Sequence, residues 1–194
     1  MVPPPPPWRR VMAAGVLGAV LLGRGRAEGM ALVEASPEGA LRSFVAALIC
    51  LPAFLALRLL SWAEMGGPEA LARPLAAELI GYVFGWVLFA LVCLPMLQGW
   101  GRAALYPRFL SAWNWISVVQ YLAQILLAVP LLLGLTGVLA QGLTLAVVGY
   151  SLWLEWFVAR VALGISGWRA TGLVVLELVL GLFIAGIVHR ISAG

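Results

Sequence analysis

The hydrophobic positions of this chain are gathered into five long runs separated by short polar or glycine-rich segments. A helix needs about 20 mostly apolar residues to cross a hydrocarbon core of ~30 Å. Five runs meet that length, and they lie at residues 41–62, 76–98, 112–134, 142–164 and 169–190. We therefore predict an all-α fold, a polytopic transmembrane bundle of five spans that occupies residues 41–194.

Proline and glycine mark where the first span begins, bends and ends. Ser36 followed by Pro37 is typical of a helix start, with the serine as the cap and the proline at the first helical position. Pro52 removes one backbone hydrogen bond and is expected to kink the helix, which membrane helices tolerate. Residues 66–68, Gly-Gly-Pro, predict the turn that follows.

The first 40 residues form a separate segment with a different pattern. Residues 3–7 are five prolines, which favour an extended polyproline conformation. Residues 11–23 are an apolar run of thirteen residues. Such a run is roughly 20 Å long as a helix and is too short to span. We interpret it as an amphipathic helix lying on the cytoplasmic surface or half-inserted there.

Two other interpretations of residues 11–23 stay open, a signal segment and a sixth span. Two arginines precede the run, and residues 27–29 loosely resemble a cleavage site. Against a signal peptide stand the five prolines and the position of Arg24 and Arg26, between the apolar run and that site.

Composition supports the membrane assignment and indicates a source. The chain is 63% hydrophobic and 10% charged, with a mean hydropathy of +1.04. A soluble domain is about half apolar and a quarter charged. The twelve basic residues are all Arg and the eight acidic residues are all Glu. With abundant Ala, Gly, Leu, Val and Pro, this usage indicates a GC-rich genome, so we predict a bacterial inner-membrane protein.

The arginines predict the topology. With a cytoplasmic N-terminus and five spans, nine arginines lie inside and only Arg58, Arg73 and Arg190 lie outside. A sixth span would leave five inside and seven outside. The positive-inside rule favours five spans with the C-terminus outside. Since the arginines flank apolar segments, the net charge of +4 is a topology signal and does not indicate nucleic-acid binding.

Polar side chains inside the spans form one candidate site. Glu155, Glu177 and Gln120 lie eight or nine residues from the predicted cytoplasmic ends of their spans, or ~12–13 Å, so they share one level. Ser117 and Gln124 extend a polar stripe from Gln120 along its helix. A charged group in the bilayer centre costs roughly 3 kcal/mol and needs a partner. Arg160, four residues from the cytoplasmic end of its span, could reach inward to the carboxylates or outward to the interface.

This polar layer has two interpretations, a hydrogen-bonded knot that locks the helices and a site that binds or transports a proton, small cation or polar group. Cys50 and Cys93 fall in apolar runs without metal-ligand spacing. His189, the only histidine, lies beside Arg190 without a second ligand. Arg58, Arg73 and Glu78 are interpreted as interfacial groups in water. The sequence predicts neither a metal site nor a cofactor, and we expect no enzymatic activity.

Two segments resemble the Yip family of five-span membrane proteins. Residues 109–119, Phe-Leu-Ser-Ala-Trp-Asn-Trp-Ile-Ser-Val-Val, resemble the start of that family's third span. Residues 158–170, Val-Ala-Arg-Val-Ala-Leu-Gly-Ile-Ser-Gly-Trp-Arg-Ala, resemble its linker between spans four and five. The resemblance implies an integral membrane protein of the bacterial type. The eukaryotic Asp-Leu-Tyr-Gly-Pro signature is absent, so Rab binding is not implied.

Two hypotheses for function follow. The first is a non-enzymatic organiser or accessory component of a membrane assembly, with the lipid bilayer and other membrane subunits as its partners. The second is a small transporter or proton-coupled channel that uses Glu155, Glu177 and Gln120. Short loops and the absence of catalytic motifs favour the first. A polar layer at a single depth favours the second.

The predicted topology is testable with single-cysteine variants on a background in which Cys50 and Cys93 are replaced by alanine. A cysteine at position 67 should react with a membrane-impermeant maleimide in intact cells, because that turn lies outside. A cysteine at position 104 should react only after the cells are opened. Protection of position 67 in intact cells, together with its labelling after lysis, would contradict the five-span topology.

Overall fold

A computed structural model describes residues 8–64, 66–68 and 70–193 of the chain. These residues contain α-helices and two short 3-10 turns and no strand. The helices are α1 (Trp8–Gly23), α2 (Pro37–Ser43), α3 (Val45–Glu64), α4 (Ala72–Gly99), α5 (Tyr106–Leu132), α6 (Gly137–Leu163) and α7 (Gly167–Ala193). The 3-10 turns are Ala27–Leu32 and Ala103–Leu105. The predicted polyproline segment at residues 3–7 lies outside the described residues.

Five helical segments are long and apolar enough to cross a membrane, as the sequence predicts. They are Pro37–Glu64, Ala72–Gly99, Ala103–Leu132, Gly137–Leu163 and Gly167–Ser192. The all-α, five-span fold class is therefore confirmed. The helices are longer than the predicted spans because a helix continues past the apolar run: α4 begins at residue 72 instead of 76, and α5 begins at 106 instead of 112.

Helix α5 is the centre of the bundle. It packs against α1, α2, α3 and α6, and it also contacts α4. Eight consecutive residues, from Phe109 to Ile116, are buried, so every face of this stretch is covered by protein. Around it, α7 packs against both α4 and α6. Because α5 has neighbours on all sides, it positions the remaining helices.

The first span is interrupted near its start. Ser36 caps α2 as predicted, since its Oγ accepts a hydrogen bond from the Gly39 N–H at 3.0 Å. The interruption falls at Phe44, between α2 and α3, whereas the helix runs on through Pro52, where the sequence predicts the kink. At the break, the Ser43 hydroxyl donates to the Ala40 carbonyl at 2.7 Å. A serine that bonds its own backbone in this way competes with the regular helix.

Helix α1 packs on the bundle through glycines. Gly15 lies directly against the ring of Trp115 on α5, where any side chain would collide. Farther along, the Tyr150 hydroxyl of α6 donates to the Gly23 carbonyl at 2.8 Å. The chain then reverses, and the 3-10 turn after α1 returns along it. The depth of α1 in the bilayer stays a prediction.

Two glycines of α4, Gly81 and Gly85, have different environments although they lie one turn apart. A Cβ atom added to Gly81 would lie 2.5 Å from Val188 Cγ2, so α4 and α7 touch there. A Cβ atom added to Gly85, one turn away, would meet nothing within 4 Å. Gly181 of α7 is open in the same way. The two helices are thus in contact at Gly81 and leave space beside Gly85 and Gly181.

We expect Gly81→Ala to lower the melting temperature of the detergent-solubilised protein. Overpacking typically costs about 1–3 kcal/mol, which corresponds to roughly 2–10 °C for a chain of this size. Gly85→Ala is the matched control, because its methyl group enters open space and replaces a flexible residue, so its melting temperature should stay equal or rise. Equal destabilisation by the two variants would contradict the close α4–α7 contact at Gly81.

Candidate functional site

All five long helices line one cavity of about 710 Å³ inside the bundle. Its lining runs along α7 from Glu177 to Ser192. At 1.5 Å per residue, the twelve residues between Glu177 and His189 correspond to roughly 18 Å along the helix axis. The cavity is therefore elongated along the bundle, with different side chains at its two ends.

One end of the cavity holds the predicted polar layer. The Gln120 amide of α5 donates to Glu155 Oε1 of α6 at 2.6 Å and to the Ser151 carbonyl at 3.3 Å. Glu155 is only 7% exposed. Its second oxygen, Oε2, is buried and accepts no hydrogen bond from the described residues. Glu155 is therefore fixed at one oxygen, and no N–H or hydroxyl group of the described residues bonds the other.

Glu177 of α7 completes a carboxyl pair. Its carboxyl group lies within hydrogen-bonding reach of the Glu155 carboxyl group, and the Trp113 indole of α5 lies beside it. Two adjacent carboxylates repel each other, so such a pair needs a proton or another cation between its members. The structure thus joins the polar residues of three helices at one level, as their depths in the sequence predict.

The remaining residues of the predicted polar stripe also reach the cavity. Ser117 and Gln124 line it on the same side of α5 as Gln120. The Ser117 hydroxyl donates to the Trp113 carbonyl within its own helix at 3.4 Å. Asn114 lines the cavity as well, and its amide donates to the buried Ser43 hydroxyl at 2.8 Å. The sequence analysis did not single out Asn114, although it is the one asparagine of the chain.

Arg160 does not belong to the site, and the predicted pairing of Arg160 with Glu155 or Glu177 is wrong. Its side chain is exposed, and its guanidinium group lies over the Trp156 ring, 4.8 Å from the ring centre. A planar cation is stabilised by an aromatic face at the surface. Reaching Glu155 would instead require burial of the guanidinium group, which carries a large desolvation cost.

The other end of the cavity holds an ion pair whose two residues the sequence predicts to be interfacial groups in water. Arg58 Nε of α3 lies 3.1 Å from Glu78 Oε2 of α4, and the Glu78 side chain is only 13% exposed. Both residues line the cavity, as does His189 of α7. The interpretation as an interfacial group in water is therefore wrong for Glu78, whereas the Arg58 side chain is 40% exposed. They form an ion pair between two helices.

Aromatic rings form much of the wall between these two ends. The Phe89 and Trp113 rings are stacked with centres 4.6 Å apart, and the ring centres of Phe54 and Tyr82 are 4.5 Å apart. Trp86 packs edge-on against Tyr82 at 6.1 Å. All five residues line the cavity. Their helical positions could have indicated a shared face, but aromatic residues are also common on lipid-facing surfaces, so the signal is weak.

The described residues hold no group of three His, Cys, Asp or Glu side chains suited to a metal ion. Cys50 and Cys93 are buried and free. Neither cysteine lines the cavity. The cavity presents carboxyl, amide, hydroxyl and aromatic groups, together with the Arg58 guanidinium and the His189 imidazole.

The five apolar helices define a multi-pass membrane protein whose helices together line a half-open polar and aromatic cavity. No family model, no curated protein and no solved structure matches the chain. The function must therefore be argued from the geometry of this cavity.

We expect Arg58→Met to destabilise the protein by about 1–3 kcal/mol, because it leaves the largely buried Glu78 carboxylate without its partner. Arg73→Met is the matched control. Arg73 lies near the same end of the bundle, is exposed and makes no ion pair among the described residues, so its loss should change stability by under ~0.5 kcal/mol. Thermal unfolding in detergent measures the stability of both variants against the wild type. Equal effects would show that the Arg58–Glu78 pair contributes nothing specific.

Proposed function

We propose that this protein is a small-solute carrier of the bacterial inner membrane, with its binding site in the five-helix cavity. The observation that supports this proposal best is the position of the carboxyl pair: Glu155 and Glu177 meet at one end of a cavity that all five spans line. Its volume of about 710 Å³ lies within the range of small-molecule sites, about 300–1,000 Å³. The pair is the polar anchor of the solute.

The alternative, a knot that only locks the helices, explains less of this geometry. A structural knot is best placed where side chains pack closely around it, because open space next to a buried polar group forfeits packing contacts. Here the Glu155 Oε2 atom is unsatisfied, and the residue adjoins the cavity. A bound solute supplies the missing partner. An organiser of a membrane assembly needs no such cavity, so we rank the carrier first.

Several features that the sequence predicts enter this proposal unchanged. The N-terminus lies in the cytoplasm and the C-terminus outside, which places the carboxyl pair in the inner half of the membrane. The role in this proposal is non-enzymatic, and the neighbours of Glu155 and Glu177 include the Gln120 amide and the Trp113 indole. The Yip-like segments agree with an integral membrane protein of this kind.

The proposal is tested by narrowing the cavity without disturbing the fold. Gly85→Val places a side chain into open space beside the cavity. Gly149→Val on α6 is the matched control, because Gly149 is exposed, has nothing within 4 Å of an added Cβ atom and does not line the cavity. Both full-length variants and the wild type are screened by thermal shift against cations, anions, zwitterions and neutral amphiphiles.

At least one solute should stabilise the wild type and the Gly149→Val variant, but not Gly85→Val. At a hundredfold excess over Kd the gain is about 2.7 kcal/mol, or roughly 5–10 °C. That solute should then cross proteoliposome membranes, and Glu155→Gln and Glu177→Gln should slow its flux at least tenfold. Full flux in both glutamine variants, with only thermal stability altered, would overturn the carrier role.

A further inference from the structure

We propose that the solute is an organic cation, with its positive group between Glu155 and Glu177 and an aromatic or apolar body along the rings of the cavity wall. This inference rests on the proposed carrier function and adds the chemical class of the solute. Three observations carry it: the charge left uncompensated in the cavity, the small number of oxygen ligands at the pair and the rings beside it.

The charges of the cavity do not cancel at its two ends. Among the described lining residues, the Arg and Glu side chains are Arg58, Glu78, Glu155 and Glu177. Arg58 and Glu78 compensate each other at 3.1 Å. No cationic side chain of the described residues bridges to Glu155 or Glu177. The carboxyl end is therefore the end of the cavity where no cationic side chain of the described residues compensates the carboxyl groups.

Glu155, the residue with an unpartnered oxygen, lines this cavity. Glu155 is more than nine-tenths buried, and its Oε2 atom accepts no hydrogen bond from the described residues, while Oε1 is bound by Gln120 at 2.6 Å. An ammonium group satisfies such an oxygen with an N–H donor, and a quaternary nitrogen satisfies it by charge alone. A neutral solute offers no charge, and an anion would be repelled by both carboxyl groups.

The surroundings of the pair favour an organic cation over a metal ion. Ca²⁺ takes six to eight oxygen ligands, and Mg²⁺ keeps near-octahedral oxygen coordination. Here the Trp113 indole lies beside the carboxyl pair, and its ring stacks with Phe89 in the cavity lining. Aromatic faces attract weakly hydrated organic cations and are the usual means of recognising quaternary ammonium groups. Trp86 and Tyr82 continue this wall toward the middle of the cavity.

The test compares two probes that share an aromatic ring and have similar size. Benzyltrimethylammonium carries a positive charge, and N,N-dimethylbenzamide is neutral. Binding to the full-length protein in detergent is measured by isothermal titration calorimetry. We expect the cation to bind the wild type at least tenfold more tightly than the neutral probe. Glu155→Gln and Glu177→Gln should each weaken cation binding at least tenfold and leave the affinity for the neutral probe unchanged.

Two control variants accompany these measurements. Glu28→Gln removes a carboxylate whose side chain is 72% exposed and distant from the cavity lining, and it should bind both probes as the wild type does. Trp86→Leu removes one ring of the wall without touching the carboxyl pair, so it tests the proposal even where a glutamine variant does not fold. Trp86→Leu should weaken binding of the cationic probe at least threefold. Trp168→Leu, which removes a ring that is 87% exposed, should leave binding of that probe unchanged.

The possible outcomes separate this inference from the carrier function. If the two probes bind with equal affinity and Gly85→Val abolishes binding of both, the proposal of an organic cation is overturned, while the cavity remains a solute site. Binding of Na⁺ or Mg²⁺ alone, abolished in Glu155→Gln, would overturn it in favour of an inorganic cation. If neither probe nor any solute of the thermal-shift panel binds, the carrier function itself fails.

Discussion

The architecture depends on one constraint: a polar side chain inside a membrane span has no water to bond and must find its partner within the protein. Helix α5 supplies most of these partners. Its Asn114 amide bonds Ser43 at the break between α2 and α3, its Gln120 amide bonds Glu155 of α6, and its Trp113 indole lies beside Glu177 of α7. These contacts fix the register of three neighbouring segments against α5. The stretch Phe109–Ile116 is buried on every side as a result.

The parts of this structure that the sequence predicts correctly are those that follow from length and depth. Five apolar runs of sufficient length give five long helices, and counting residues from the helix ends places Gln120, Glu155 and Glu177 at one level. Which face of a helix meets protein could not be predicted, because lipid tails are as apolar as Leu and the two faces look alike. For that reason the centrality of α5, the aromatic wall and the Arg58–Glu78 pair were missed. The sequence left an inward and an outward position open for Arg160, and the Trp156 face, which holds it at the surface, could not be foreseen from residue spacing.

Small residues between α4 and α7 explain why a bundle of only five spans contains a cavity. At Gly81 the absence of a side chain lets Val188 approach, and the two helices are held together there. At Gly85 and Gly181 the same absence leaves volume unfilled, and large rings such as Trp86 and Phe89 surround it. Close packing and open space are therefore produced by one residue type. The difference lies in whether a branched side chain faces the glycine across the helix pair.

The carboxyl pair is not what the fold would need if its only task were to join α5, α6 and α7. A glutamine at position 155 could accept the same hydrogen bond from the Gln120 amide through its carbonyl oxygen, and it would carry no charge into the bundle. A carboxyl pair in the bundle, with Glu155 buried and Glu177 half-buried, costs stability unless a proton or cation joins its members. The carboxyl pair therefore lowers the stability of the protein at one end of the cavity. A group that is costly to the empty protein, and satisfied only by a cation, is suited to binding one reversibly.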